Sequence, residues 1–179
     1  MKSIQLMGNK VALVDDCDYE NLMRYKWEYI APKNSCGNEY ARTRATINGK
    51  RIGTLMHRMI MSSTKGQIID HKDRNGLNNQ RENLRVCSMA ENAWNRKVQK
   101  SNLLGFRGVH KRYSTVKIKN RKGEEVTYQR KPRYIAFIRH NGNNIYIGSF
   151  LTPEVAAEAY NQAALKYYGE FAYLNQIKE

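Results

Sequence analysis

The chain has 179 residues, which is enough for one medium domain or two small ones. Lys and Arg number 31 against 16 Asp and Glu, so the formal net charge of +15 favours nucleic acid or another anionic surface as partner. No apolar run reaches the length of a membrane span, and the first ten residues lack the apolar core of an export signal. We therefore expect a cytoplasmic protein with no membrane partner.

The three cysteines predict free thiols. Cys17, Cys36 and Cys87 form no CxxC pair, and they have no metal-ligand spacing with the four histidines. A structural zinc site is therefore not expected.

Positive charge is concentrated in the middle of the chain. Residues 97–139 contain thirteen Lys and Arg against only Glu124 and Glu125, whereas residues 140–179 contain two bases and four acids. Binding through such a segment releases counterions from a polyanion, and it is therefore strong and steeply dependent on salt. We therefore predict that the middle segment is the main electrostatic contact with nucleic acid.

Residues 1–56 predict short strands and a helical turn. KVALVD reads as a strand, DYENLMRYK as a brief helix, and YARTRATINGKRIGTLMH as a hairpin whose Asn48-Gly49 pair is a strong two-residue turn signal. Four basic residues lie on this hairpin and form either a solvated face or a clamp on the DNA backbone. They are Arg42, Arg44, Lys50 and Arg51.

Residues 57–96 predict a strand, a polar loop, a second strand and a helix. MHRMIM reads as a short helix, QIIDH and LRVCS as the strands, and KDRNGLNNQREN as the loop between them. Ser88 with Glu91 three residues later is a capping box, which predicts that a helix begins there. His57 is more typical of a packed histidine than of a ligand. Asn78 and Asn79 are expected to shape the loop, and Asn95 to support Asn92 from the same helix face.

Asp70, His71, Asn83 and Asn92 carry the predicted chemistry. The strand ends at His71, so the side chains of Asp70 and His71 can reach one cleft although they are consecutive. Asp70 and Asn92 offer hard oxygen ligands, which suit a single Mg²⁺ or Mn²⁺ ion rather than zinc. His71, with an ordinary pKa of ~6.5, can act as general base. Asn83 either holds the other ring nitrogen or ties down the loop.

The stretch LMHRMIM…IDHKDRNGLNNQRENLRVCSMAENAWN resembles an HNH endonuclease of the phage and intron homing type. The resemblance implies a ββα-metal fold, in which Asp70 and Asn92 bind the metal, His71 is the general base and Asn83 orients it. The spacing of the four residues is similar to that of the single-metal nicking subgroup, which also has Asn at the helix position.

Residues 105–175 predict a second unit of strand, basic insertion, strand, NG turn, strand and helix. In the second strand, Tyr134, Ala136 and Ile138 face one way and the residues between them face the other. Thr152 followed by Pro153 predicts the start of the last helix. The insertion, residues 113–132, is either an extended hairpin with Lys122-Gly123 at its tip or a flexible solvated arm; we expect it to contact phosphates. The outer sheet face would present five residues that can enter the major groove, namely Arg107, Arg112, Arg133, Arg139 and Tyr146.

The segments RGVHKR, YIAFIR, YIGSF and TPEVAAEAY are similar to the plant APETALA-type, or ethylene-response-factor, DNA-binding domain. By position, the resemblance places six residues on DNA-facing sites: Arg107, His110, Arg112, Arg139, Asn144 and Tyr146. His110 and Asn144 stand where arginine is frequent in that family, and Tyr146 where tryptophan is, so the base preference should differ.

We therefore predict an α+β chain that is a site-specific, divalent-metal-dependent DNA endonuclease (a phosphodiester hydrolase) of the homing type. The predicted domains are an HNH nuclease module with a preceding β-rich segment (1–96), a linker (97–104), and an APETALA-type domain of a three-stranded antiparallel sheet packed on one helix (105–179). One active site per chain suggests a nickase that acts on double-stranded DNA as a monomer, in the host cytosol if the gene belongs to a phage.

Two alternatives remain open from the sequence. A non-catalytic DNA-binding regulator could retain the HNH unit as a relic scaffold, although the complete polar set argues against it. An RNA-directed nuclease is less favoured, because the sequence shows no aromatic platform for single strands of the kind found in RNA-recognition motifs.

Overall fold

The computed structural model describes residues 1–31, 39–47, 50–99 and 101–177, with the side chains of 45–47 and 50–52 outside that description. The chain divides into two compact units, unit 1 (Met1–Lys97) and unit 2 (Val98–Glu179). Helices and strands are mixed in both units, so the predicted α+β class is confirmed. No helix among the described residues is long and apolar enough to span a membrane.

Unit 1 consists of short strands and three short helices. In chain order these are β1 (Lys2–Leu6), β2 (Lys10–Val14), α1 (Asp16–Leu22), β3 (Trp27–Ile30), β4 (Tyr40–Ile47), β5 (Lys50–Leu55), α2 (Met56–Ile60), β6 (Ile68–His71), β7 (Leu84–Cys87) and α3 (Met89–Trp94).

The strands of unit 1 form three small antiparallel sheets, β1-β2, β3-β4-β5 and β6-β7. The predicted hairpin is confirmed by the pairing of β4 with β5 from Arg42 opposite Leu55 to Ile47 opposite Lys50. Its predicted turn, Asn48-Gly49, lies outside the described residues.

The core of unit 1 forms beneath these sheets because their apolar residues alternate. Ala12 and Val14 of β2 are buried with Trp27 and Met56, and the indole Nε1 of Trp27 donates to the carbonyl of Leu22 at 2.8 Å. Strand β2 also anchors the loop that follows β6. The backbone N–H of Leu13 donates to the Leu77 carbonyl, and that of Asn79 donates to the Leu13 carbonyl, both at 2.8 Å.

Unit 2 contains five strands and one long helix. In chain order these are β8 (Val109–Arg112), β9 (Thr115–Lys119), β10 (Glu125–Gln129), β11 (Arg133–His140), β12 (Asn143–Phe150) and α4 (Pro153–Tyr168). Strands β12, β11 and β8 form one antiparallel sheet in that order. The insertion folds as the β9–β10 hairpin, with Gly123 at φ +80° in its tip, so the hairpin alternative is the one observed.

Helix α4 covers one face of the β12-β11-β8 sheet. Ala156 and Ala157 are fully buried against Val109 and Ala136, since small side chains on the helix allow close approach to the strands. The predicted helix start is confirmed: Thr152 accepts a hydrogen bond from the N–H of Val155. The other sheet face is left without a covering element within unit 2, and it is described below.

Candidate active site and nucleic-acid interface

Asp70 and His71 end strand β6 and are buried, with 7% and 5% of their surface exposed. Strand β7 pairs with β6 so that Arg85 lies opposite Asp70 and Leu84 opposite His71. The chain turns into the polar loop directly after His71. That both side chains reach one cleft stays a prediction.

The Asp70 carboxylate is held by two partners from the next two elements. Arg85 donates to Oδ2 from Nη2 at 2.8 Å and from Nε at 3.1 Å, in an ion pair whose side chains are about nine-tenths buried. Asn95, which caps the end of α3, donates from Nδ2 to Oδ2 at 2.9 Å and to the carbonyl of His71 at 2.9 Å. Asn95 therefore ties the end of α3 to the end of β6.

Asn92 lies inside α3, and its backbone N–H donates to the Ser88 carbonyl at 3.0 Å. Among the contacts of the described residues, none joins the Asn92 side chain to Asp70; the side chain that reaches the carboxylate is that of Asn95. The helix start itself is as predicted, because Ser88 and Glu91 form both hydrogen bonds of a capping box. The role of Asn92 as a metal ligand stays a prediction.

The His71 imidazole is held by Asn79 and flanked by two rings. Its Nε2 lies 3.3 Å from Oδ1 of Asn79, a residue with no exposed surface. The rings of His57 and Tyr40 lie with centroids 4.8 and 6.0 Å from that of His71. An amide oxygen accepts hydrogen bonds, so this contact favours the tautomer with hydrogen on Nε2 and leaves the Nδ1 lone pair available for a proton.

Both histidines of this cluster are neutral at neutral pH. Burial lowers the pKa of His71, against the raising effects of the Asn79 hydrogen bond and of the Asp73 and Asp70 carboxylates. Burial, and then the nearby His71 and Arg58, lower the pKa of His57 to about 3. His57 is thus a packed histidine, as its position predicted, although it contacts the predicted general base.

Asn83 ties down the loop, which is the second of its two predicted roles. Its Nδ2 donates to Oδ1 of Asp73 at 2.9 Å and to the carbonyl of Asn78 at 2.7 Å, and its Oδ1 accepts from the N–H of Asp73 at 3.0 Å. Asp73 also accepts from the side chain of Asn78 and the N–H of Asn75, both at 2.8 Å. The imidazole contact predicted for Asn83 is made instead by Asn79.

Gly76 allows the loop to cross strand β4. A Cβ built on Gly76 would lie 2.0 Å from the carbonyl oxygen of Glu39 and 2.7 Å from the Tyr40 ring, so no larger residue fits without a shift of the loop. The same Tyr40 ring flanks His71. Gly76, Asn79 and Asn95 are thus positioning residues. The sequence assigned Asn79 to the loop and Asn95 to the support of Asn92, but it predicted neither the contact of Asn79 with His71 nor that of Asn95 with Asp70. Gly76 was not selected, and its only signal was its place in an Asn- and Gly-rich loop.

The donor chemistry around Asp70 fits a hard divalent cation. The described residues contain no group of three or more His, Cys, Asp and Glu side chains that could hold a metal ion. Mg²⁺ is usually bound by one or two carboxylates, with water or phosphate in the remaining positions. Asp70 offers one carboxylate, to which Arg85 and Nδ2 of Asn95 donate in this structure. Cys17 and Cys87 are free thiols, and burial raises the pKa of Cys87 to about 11. Cys36 lies outside the described residues.

The uncovered face of the unit 2 sheet is basic and aromatic. Arg112 lies opposite Arg133, Tyr146 opposite Phe137, and Asn144 opposite Arg139, while His110 lies opposite Ile135. No acidic residue occurs in β8, β11 or β12. Like charges directly opposite each other destabilise a sheet, and an anion bound on this face would reduce that cost. The Arg133 guanidinium also donates to Ser149 of β12, from Nη2 to its carbonyl at 2.7 Å and from Nε to its hydroxyl at 3.2 Å.

Arg107 lies just before β8 and is fixed by the end of the chain. Its backbone N–H donates to Oδ1 of Asn175 at 2.7 Å, and its carbonyl accepts from Nδ2 of the same residue at 3.1 Å. Its guanidinium carbon lies 5.9 Å from the centre of the Tyr173 ring. Thus the structure places six of the predicted DNA-facing residues on the sheet face (His110, Arg112, Arg133, Arg139, Asn144 and Tyr146), and Arg107 at its edge.

Arg42 and Arg44 of β4 share one acidic partner. Glu28 lies 3.0 Å from Nη2 of Arg42 and 3.7 Å from Nε of Arg44. This contact agrees with an ion-paired surface, and the predicted clamp on DNA stays a prediction. The side chains of Lys50 and Arg51 lie outside the described residues.

Comparison with known proteins gives partial matches. Residues 55–94 match the model of the HNH endonuclease family. Protein 3.8 of Escherichia phage T7 is 49% identical over 45 residues, which are 25% of this chain and 37% of that protein. An uncharacterized HNH endonuclease of Acanthamoeba polyphaga mimivirus is 31% identical over 109 residues, 61% of this chain and 47% of that protein.

The chain therefore spans less than half the length of these two relatives, and no solved structure matches it. The family match contains α2, β6, β7 and α3, and with them Asp70, His71, Asn79, Asn83 and Asn92. The APETALA-type resemblance of unit 2 stays a prediction. What the comparisons support is an HNH endonuclease domain within residues 55–94 of unit 1.

Proposed function

We propose that the chain is a site-specific DNA endonuclease of the homing type, dependent on Mg²⁺ or Mn²⁺, that hydrolyses a phosphodiester and nicks one strand. The observation that carries the proposal is the buried His71 imidazole, held through Nε2 by Asn79 next to Asp70, inside the segment that matches the HNH endonuclease family. A neutral imidazole with a fixed tautomer is what a general base near neutral pH requires.

In this proposal, His71 accepts a proton on Nδ1 from the water that attacks the phosphorus. Asn79 stabilises the resulting imidazolium through Nε2, and the tied loop around Asp73 and Asn83 keeps Asn79 in place. Asp70 and Asn92 would hold the divalent ion, which supplies stabilisation of the charge that develops on the leaving 3′ oxygen. Arg85 and Asn95 fix the orientation of the Asp70 carboxylate.

Unit 2 is proposed to position the enzyme on double-stranded DNA. The basic face of β8, β11 and β12 would lie in the major groove, with Arg112, Arg133 and Arg139 towards phosphates or base edges. The β9–β10 hairpin, which carries Lys117, Lys119 and the tip residue Lys122, would extend the contact along the backbone. One active site in each chain favours a monomer that makes a single nick, in the cytoplasm of a phage-infected host.

The test is a plasmid assay with supercoiled DNA that carries candidate target sequences, in Mg²⁺, Mn²⁺ or EDTA. Metal-dependent open circles are expected, and mapping the nick would give the site. Linear product would instead indicate paired active sites. Plasmid that is retarded in a gel but intact with every metal would overturn the proposed nuclease activity and favour the DNA-binding regulator.

A further inference from the structure

A cavity of unit 2 lies where the uncovered sheet face meets the segment before β8 and helix α4. Its volume is about 490 Å³, within the range of small-molecule sites. It is lined by residues of the sheet, of the segment before β8 and of α4: Arg107, Gly108, His110, Phe137, Arg139, Asn144, Tyr160 and Tyr168.

Gly108 brings the walls of this cavity together. Its φ is +72°, and a Cβ at this position would lie 2.2 Å from the Tyr160 ring. The Tyr160 ring therefore packs directly on the backbone before β8 and closes the cavity from the helix side. The Tyr168 hydroxyl donates to the carbonyl of Arg139, which closes the cavity next to β11.

Three aromatic rings, one from each strand, form a row beside the cavity. The ring centroids of His110 and Phe137 are 6.3 Å apart, and those of Phe137 and Tyr146 are 5.5 Å apart. His110 and Tyr146 are exposed, Tyr146 to 57%, and Phe137 is half-buried between them. The sequence analysis missed this row because its members lie in three separate strands with no shared motif.

The charge of the cavity selects an anion with hydrogen-bond acceptors. Arg107 and Arg139 contribute fixed positive charge, and Asn144 and His110 contribute further donors. None of the lining residues is acidic. Unpaired bases stack on aromatic side chains, and their phosphates pair with arginine, so a row of rings beside two arginines has the chemistry of a site for unpaired nucleotides.

We propose that this cavity binds an unpaired nucleotide of a DNA strand, with the base stacked on Phe137 and the phosphate at Arg107 and Arg139. The Tyr146 ring, inclined at 63° to that of Phe137, would flank the base from beside the cavity. Duplex DNA in the major groove presents base edges rather than ring faces, so a stacking contact requires a base that has left its pair. The inference rests on the proposed DNA binding of this sheet and is independent of cleavage by unit 1.

The experiment measures binding of the full chain in EDTA, where no cleavage occurs, to a fluorescein-labelled 20-nucleotide DNA strand and to the duplex of the same sequence. Phe137→Leu and Tyr146→Leu are expected to weaken binding of the single strand about 10-fold each, and binding of the duplex by a clearly smaller factor, since both rings lie on the face proposed to contact the duplex. Tyr146→Phe should retain single-strand binding, because it keeps the ring. Tyr167→Leu, on α4 outside the cavity, is the matched control and should change neither affinity.

A second measurement locates the base. A strand with 5-iododeoxyuridine is irradiated on the wild-type protein, and the crosslinked peptide is expected to contain Phe137, Tyr146 or His110. An equal loss of single-strand and duplex affinity in the Phe137 and Tyr146 variants would overturn the proposal and indicate apolar contact with paired bases. Tighter binding of the matching RNA strand than of DNA would also overturn it. If the wild-type protein binds the single strand but cleaves no plasmid with any metal, the nuclease proposal alone would be overturned.

Discussion

The polar side chains of the two units lie in opposite environments. In unit 1, Asp70, His71 and Asn95 expose only 7%, 5% and 3% of their surface, and each has a hydrogen-bond partner within the unit. In unit 2, Arg112 and Tyr146 are exposed on a sheet face that no element of that unit covers. Buried polar groups need hydrogen-bond partners inside the fold, whereas exposed polar groups are solvated by water until a ligand binds.

This difference predicts how each unit responds to substitution. A buried polar group that loses its partner is left unsatisfied, so single changes in unit 1 should have large effects on stability or chemistry. Contacts to a polyanion are spread over many exposed charges, so single changes in unit 2 should have small, additive effects. Five substitutions test this contrast, beginning with the buried catalytic histidine and ending on the exposed sheet face.

His71→Gly should lower the rate of DNA cleavage by about 10²–10⁴, because removal of a general base has effects of that size. The measurement is the rate of plasmid nicking at saturating metal. Free imidazole should partly restore the rate, since the substitution leaves a ring-sized space between Asn79, His57 and Tyr40. DNA binding in EDTA is the control and should match that of the wild type. An unchanged nicking rate would remove His71 from the mechanism.

Asn95→Leu should lower the free energy of unfolding of unit 1 by about 1–2 kcal/mol, because the buried Asp70 carboxylate and the His71 carbonyl each lose one hydrogen-bond donor. Arg85 still donates to Asp70, and the N–H of Arg74 still donates to the His71 carbonyl. Urea unfolding followed by tryptophan fluorescence reports unit 1 selectively, since Trp27 and Trp94 both lie there. Asn21→Leu, at an exposed position of α1 in the same unit, is the control for a simple amide-to-leucine change.

The variant Asn95→Asp keeps a side chain of nearly the same size beside Asp70 but gives it a negative charge. The second carboxylate beside Asp70 should lower the melting temperature of the variant in EDTA. Addition of Mn²⁺ should raise the melting temperature of the variant more than that of the wild type, because a cation would relieve the repulsion between the two carboxylates. Equal melting temperatures with and without Mn²⁺ in this variant would show that no divalent ion binds at Asp70.

Local sequence signals predicted much of the fold. The Ser88–Glu91 capping box, the Thr152-Pro153 helix start and the β4–β5 hairpin are each specified by a few neighbouring residues, and each is observed. Strands β1 and β3 were not placed, although each pairs with the next strand along the chain. They have only five and four residues, so their alternation of apolar and polar side chains is too brief to recognise. Local signals therefore define caps and turns better than they define short strands.

The candidate site was predicted in part for the same reason. Adjacency in the chain placed Asp70 and His71 together, and helical spacing brought Asn92 and Asn95 to the same helix. Which amide reaches Asp70 depends on how the last turn of α3 meets β6, and the described contacts give that role to Asn95. Asn79 reaches His71 because its backbone is bonded to Leu13, a contact 66 residues apart that no local pattern contains.

The low pKa of His57 predicts that acid lowers the free energy of unfolding of unit 1. Its pKa is about 3 in the folded protein and ~6.5 when unfolded, so the unfolded state binds the proton more tightly. Stability is therefore complete above pH 6.5 and falls as the pH drops towards 3, by about 2 kcal/mol at pH 5. In His57→Phe, which keeps a ring beside His71 and Tyr40, this part of the loss should disappear. Urea unfolding at pH 7.5 and 5 measures it, and an equal loss in both proteins would contradict the prediction.

Arg112→Thr tests the exposed side of the comparison, where stability and binding should move in opposite directions. Removing one of two arginines that lie directly opposite each other should raise the free energy of unfolding by a few tenths of a kcal/mol. The same change removes one phosphate contact, so the slope of log K for duplex binding against log salt should become shallower by about 0.9. Lys166→Ala, a basic residue on the exposed side of α4, removes equal charge away from the sheet and should leave the slope unchanged. If Arg112→Thr instead lowered stability and left the slope unchanged, the arginine pair would be a structural feature of the sheet, and the contrast between a closed catalytic unit and an open binding unit would fail at this face.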